Sequence, residues 1–86
     1  MDAKCFFCGS EQGLERHHVF YGNPNRKKSE KYGAVAMLCS HHHRDHREGV
    51  HHNRQMDIQL KCWYQGELEQ VLGHHGFIKE FGRSWL

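Results

Sequence analysis

Long apolar runs are missing from this chain. No stretch approaches the roughly twenty apolar residues that a membrane span needs, so no membrane partner is expected. The opening segment MDAKCFFCGS lacks the apolar run of a secretory signal. Charge of one sign is also scarce. Twelve Lys and Arg stand against ten Asp and Glu, a formal net charge of +2, too small to mark a nucleic-acid binder by itself. Proline occurs once, at Pro24. Internal repeats and low-complexity segments are absent, which excludes solenoids and compositionally biased linkers. What remains is an 86-residue chain with 37% hydrophobic and 26% charged residues. That composition suits one packed domain over residues 1–86, with a core small enough that a structural metal would contribute much of its stability.

Histidine, by contrast, is abundant: ten of 86 residues. Most of these fall in two clusters, LERHHVFYG at 14–22 and LCSHHHRDH at 38–46. The four cysteines are Cys5, Cys8, Cys39 and Cys62. An even count in a secreted chain would read as disulfides, but without a signal sequence a reducing compartment is expected, and there clustered cysteines read as metal ligands. Two thiolates at the Cys5-x-x-Cys8 spacing on a tight turn can share one Zn²⁺. Cys39-x-x-His42 repeats the spacing, and zinc accepts thiolate and imidazole together. The set Cys5, Cys8, Cys39 and His42 is therefore the expected structural zinc site. Its fourth member is the least constrained: His41, His46 or Cys62 would also serve. Cys62 lies on the apolar side of a helical pattern and reads better as a small buried hydrophobe.

CFFCGSEQG reads as a knuckle that turns back at Gly9. LERHHVFY reads as a short strand, broken by Gly22, Asn23 and Pro24. Residues 23–33 read as a polar, basic loop closed by Gly33. AVAML, at 34–38, suits a buried strand. Ser40 is placed to cap a helix over about 41–48 that ends near Gly49. Farther on, Met56, Leu60, Trp63, Tyr64, Leu68, Val71 and Leu72 recur at three- and four-residue steps. That is the period of an amphipathic helix, capped by Gly73 and weakened by Gly66 inside it. FIKEFGRSWL reads as a short helix plus an apolar anchor.

Adjacent residues on a strand point to opposite faces, so a strand-borne His17–His18 pair can aim one imidazole at a metal and the other at a different task, such as deprotonating water. His43, one helical step past His42, is rotated by about 100° and can face a second site. His46 lies one turn farther and is a possible extra ligand.

With these residues in register, CFFCG, LERHHVF and LCSHHHR together resemble the HNH endonucleases. HHVFYG, the basic loop, LC..HHR, a following VH and the terminal FGRSWL are most similar to small phage-encoded members, including the RecA-dependent nuclease group. The resemblance implies an α+β fold: a small ββα-metal (HNH) unit with an N-terminal zinc knuckle over residues 1–53, and a C-terminal amphipathic helical extension over 54–86. It implies a metal-dependent DNA endonuclease hydrolysing phosphodiester bonds in the cytoplasm of a bacterial host. His17 and His43 would hold a catalytic divalent ion, Mg²⁺ or another, and His18 would be the general base. A neutral imidazole suits a base working at neutral pH. The family's middle Asn, which orients the base, falls here on Ala34, so the match fails there; Asn23, Asn25, Asn53 or a backbone carbonyl would have to replace it. Arg26, Lys27, Lys28 and Arg44, with Lys31, are the expected phosphate contacts. His51, His52, His74 and His75 read as surface residues and stay unassigned. DNA is the implied partner, and whether a phage or host recombination or packaging protein directs the cut stays open.

Two other readings compete. A zinc-ribbon-like nucleic-acid-binding module without catalysis would need the cysteine site but not His17–His18. A metal-storage or metal-sensing domain would need several metals per chain and no preference for DNA.

Overall fold

The computed structural model describes residues 3–22 and 24–86. Its elements are β1 (Leu14–His18), α1 (Asn25–Tyr32), β2 (Val35–Cys39), α2 (Ser40–Arg44) and α3 (Arg54–Phe81). β1 and β2 form one two-stranded antiparallel sheet. The result is a small α+β arrangement, as the sequence pattern suggested. No helix among the described residues is long and apolar enough to cross a membrane.

The sheet register positions the site. Glu15 pairs with Leu38, Arg16 with Met37, His17 with Ala36 and His18 with Val35. Paired residues share a face and successive residues alternate. Glu15 and His17 therefore lie on one face, Arg16 and His18 on the other. The expected strand over LERHHVFY stops at His18: Val19 and Phe20 leave the ladder and become fully buried.

Two further differences from expectation concern the helices. The segment read as a basic loop contains α1, which ends at Gly33. Arg, Lys and Glu are good helix formers, but with no apolar stripe the segment carries no period to read. Instead Ser29 holds it: its hydroxyl donates to the Phe20 carbonyl at 2.6 Å and accepts the Phe20 N–H at 3.1 Å. Second, α2 spans only Ser40–Arg44, with Cys39 rather than Ser40 at its N-cap. The Asp45 carboxylate captures the N–H groups of Arg47 and Glu48 at 2.8 and 2.9 Å, a local alternative to continuing the helix. The chain then folds back tightly, with the Val50 N–H on the His42 carbonyl at 2.8 Å. A Cβ on Gly49 would lie 2.6 Å from Asp45 backbone atoms, so this fold-back requires glycine. At Gly73 the expected stop is present: the span of α3 is two helical segments that meet there at a kink, with a non-helical φ of 74° and ψ of 167°. Only glycine takes that conformation readily.

α3 starts with Asn53, whose side chain accepts the Met56 N–H at 3.2 Å. Leu60 and Leu68 on its inner face are buried, whereas Trp63 (50% exposed) and Val71 (82%) lie off that face. The expected apolar stripe is thus narrower than the sequence spacing suggested. Beyond the kink, Phe77, Phe81 and Trp85 pack around Phe20, with ring centroids 4.7–5.3 Å away. The tail is strapped to α3 as well. Gln65 accepts the Trp85 N–H at 2.8 Å and donates to Ser84, and Cys62 donates to the Trp85 carbonyl. The expected apolar anchor is therefore Trp85.

Leu60 has no solvent exposure. Leu60→Ala is expected to destabilise the fold by about 2–5 kcal/mol, read as a lowered thermal midpoint. An unchanged midpoint would contradict its place in the core.

Candidate metal centres

The first cluster joins the knuckle to the start of α2. Cys5 and Cys8 stand on a turn closed by the Gly9 N–H on the Cys5 carbonyl (2.9 Å), and the Phe6 N–H ties the turn to Met37 of β2 (3.0 Å). Cys39 ends β2, and His42 lies one turn into α2. The four ligand atoms all fall within 4.8 Å of one another. Sγ of Cys8 and Cys39 are 3.8 Å apart, and His42 Nδ1 lies 3.7 Å from Cys5 Sγ and 3.2 Å from Cys39 Sγ. A tetrahedral Zn²⁺ with bonds of about 2.3 Å to sulfur and 2.0–2.1 Å to nitrogen has edges of about 3.8 and 3.6 Å. The donor set fits zinc. Burial pulls the Cys5 thiol up, but backbone hydrogen bonds from Cys39, Cys8 and Phe7 outweigh it and bring it down to about 6. The alternatives for the fourth ligand are occupied elsewhere: His41 contacts Glu48 (2.8 Å), His46 lies against His52 with the rings tilted by 44°, and Cys62 contacts Trp85.

The second cluster was only partly foreseen. His17 and His43 converge as expected, but the third member is His51, and one ring nitrogen from each lies within 4.8 Å of the others. His43 Nε2 and His51 Nε2 are 3.1 Å apart. Two nitrogens bound to one metal at about 2.1 Å lie roughly 3.0–3.4 Å apart, so this pair also fits a shared ion. His17 is buried, and its Nε2 is without a hydrogen-bond partner among the described residues. A buried orphan nitrogen normally costs free energy; a metal would satisfy it. Burial first, then the charges that His51 and His43 would carry, push His17 down to about 4, which keeps its ring unprotonated at neutral pH. His43 Nδ1 is held by Glu15 Oε1 at 2.6 Å, leaving Nε2 for the cluster. Such a carboxylate–histidine pair fixes tautomer and ring orientation.

These imidazoles floor a cleft of about 570 Å³ lined also by Arg16, His18, Tyr21, Arg26 and Lys27. His18 stands on the other face of β1, and its Nε2 lies 3.6 Å from Glu30 Oε2 of α1. Arg16 grips both oxygens of Glu30 at 2.5 and 2.6 Å. Of the expected phosphate contacts, Arg26 and Lys27 line the cleft. Lys28 and Arg44 do not line it. Lys28 reaches back to the Glu80 carbonyl (2.5 Å), and Arg44 donates to Glu15 (2.9 Å). Lys31 lies over the Tyr32 ring, 5.2 Å from its centroid. Of the expected Asn substitutes, Asn25 and Asn53 are engaged away from His18. Asn53 caps α3 and Asn25 donates to the Phe81 carbonyl at 3.4 Å; Asn23 lies outside the described residues.

Sequence reasoning missed His51, Glu15 and Glu30. Glu15 was findable, because it precedes His17 by two and must share its strand face. His51 was not, because its approach depends on the fold-back at Gly49.

Purified protein is expected to carry about one firmly held zinc per chain. Structural zinc can contribute roughly 10 kcal/mol or more to folding, so Cys8→Ser or strong chelation is expected to release the ion and unfold the domain. Elemental analysis and circular dichroism check this; folded protein free of zinc would refute it.

Comparison with protein-family models, with curated proteins and with solved structures returns no match for this chain; the two clusters are therefore interpreted on their geometry.

Proposed function

We propose that the protein is a metal-dependent DNA endonuclease of the HNH type, with Cys5, Cys8, Cys39 and His42 holding structural zinc and His17, His43 and His51 holding the catalytic ion. The observation that carries this reading is the convergence of three imidazoles, one with a buried unpartnered nitrogen, on the floor of a cleft edged by His18, Arg26 and Lys27. The strand–helix–strand–helix order places the histidine pair on β1 and the third motif histidine on α2, consistent with a ββα-metal unit.

A divalent ion at this position would neutralise charge on the scissile phosphate and on the leaving oxygen. The protein supplies the rest. Arg26 and Lys27 hold backbone phosphates. Glu30, facing His18 Nε2, favours the tautomer with its proton on Nε2, so that Nδ1 is free to take a proton from the attacking water. Glu30, itself fixed by Arg16, thus replaces the orienting Asn that Ala34 cannot supply. As the water oxygen bonds to phosphorus, its proton passes to His18 and the bond to the leaving oxygen breaks.

The substitutions should differ in kind. His18→Ala is expected to lower plasmid cleavage by about 10²–10⁴-fold while leaving metal and DNA binding nearly intact. His51→Ala and His43→Ala should weaken binding of the catalytic ion, so that part of the rate returns at high metal concentration. Glu15→Gln, which loosens His43, should cost about 10–100-fold in the same affinity. None should release the structural zinc. Nicking assays with Mg²⁺, Mn²⁺ and Ni²⁺ check these outcomes. Equal rates for wild type and His18→Ala would remove His18 from the mechanism. No cleavage by either, across metals and DNA forms, would favour a zinc-dependent binding module instead.

A further inference from the structure

Tyr21 is the wall between two depressions. On one side is the trihistidine cleft; its ring centroid lies 6.1 Å from that of His17 and 6.2 Å from that of His51. On the other is a depression of about 230 Å³ lined by Tyr21, Arg54, Asp57, Lys61, Arg83 and Trp85 among others. The three cations there outnumber the one carboxylate, for a net charge of +2. That carboxylate is already committed. Asp57 accepts from Tyr21 Oη at 2.8 Å and from Lys61 Nζ at 2.6 Å. Lys61 is 4% exposed, and its ammonium also lies 3.8 Å from the Tyr21 ring centroid. Arg54 and Arg83 are different: both are exposed, and among the described residues neither is ion-paired with a carboxylate. The Arg83 guanidinium is held 4.9 Å from the Trp85 ring centroid. Across Tyr21, Arg26 and Lys27 are likewise without carboxylate partners among the described residues.

We propose that the Arg54–Arg83 depression is a second backbone-phosphate site, taking a phosphodiester of the same strand on the far side of Tyr21 from Arg26 and Lys27. This rests on the nuclease reading and deepens it. Paired cations on both sides of the trihistidine floor suit a strand that continues past the scissile phosphate in both directions. The Tyr21–Asp57–Lys61 network builds the wall between the two phosphates and satisfies the buried charges. The arginines stay available because Asp57 is spent on Tyr21 and Lys61.

The test is the salt dependence of binding between a short fluorescent DNA duplex and the zinc-loaded full chain, without added divalent metal. Each phosphate contact contributes about 0.9 to the slope of log K against log salt. The double variant Arg54→Ala/Arg83→Ala, which gives up that one phosphate, should show a slope smaller by about 0.9 and weaker binding, with its thermal midpoint unchanged. Arg54→Lys/Arg83→Lys, which keeps the charges, should keep the slope. Lys79→Ala, an exposed cation outside both depressions, should also keep it. Wild type that binds DNA with a slope the alanine pair leaves unchanged overturns the second site alone. Wild type that binds no DNA overturns the nuclease reading and this site with it. Competition by inorganic phosphate beyond that of chloride at equal ionic strength, lost in the alanine pair, would make the depression a free-phosphate site and overturn the proposal.

Discussion

The convergence of Cys5, Cys8, Cys39 and His42 is the constraint on which the rest of this small structure depends. A two-stranded sheet is marginal by itself, and this one is only five residues long on each strand. Cys39 belongs to three things at once: it ends β2, caps α2 and supplies a ligand atom to the cluster. Its position fixes where α2 leaves the sheet. His42 then meets the cysteines on one side of that short helix and His43, the next residue, faces His17 on the other. Moving α2 by one residue would separate His43 from both His17 and Glu15.

The two-residue repeat of β1 divides the labour of the cleft. Glu15 and His17 share one face and meet His43; Arg16 and His18 share the other and meet Glu30. Each face thus has its own carboxylate: Glu15 holds the His43 ring that meets His17, and under the proposed mechanism Glu30 orients the base. α3 closes the arrangement from behind. Lys61 is tolerated in the interior because Asp57 and the Tyr21 ring offset its desolvation, and the same trio stiffens the wall next to His17.

Some elements were legible before the structure because their signals are local. The two x-x spacings, Cys5 to Cys8 and Cys39 to His42, place ligand atoms within one turn of each other, and the four do converge. The short apolar run AVAML at 34–38 marked the strand found at Val35–Cys39, and the three- and four-residue recurrence of Met56, Leu60, Trp63, Tyr64, Leu68, Val71 and Leu72 marked α3. α1 was not legible. Its residues form a helix without an apolar stripe, and Ser29 binds it to Phe20, nine positions away. Val71 was placed on the buried face by spacing alone, although the kink at Gly73 and the return of Trp85 cover a different part of α3.

By itself, then, the sequence determined the chemistry of the ligands, their short-range spacing and which strand residues share a face, because those follow from bond geometry over a few residues. Tertiary structure decided which side chains complete each site. His51 joins His43 only because the chain doubles back at Gly49, where no Cβ fits. Lys28 is withdrawn from the cleft by Glu80, 52 positions away, and Arg44 by Glu15, 29 positions away. Glu30 reaches His18 only because α1 packs beside β1. Contacts of that range depend on how the elements dock, and no local pattern of residue types encodes them.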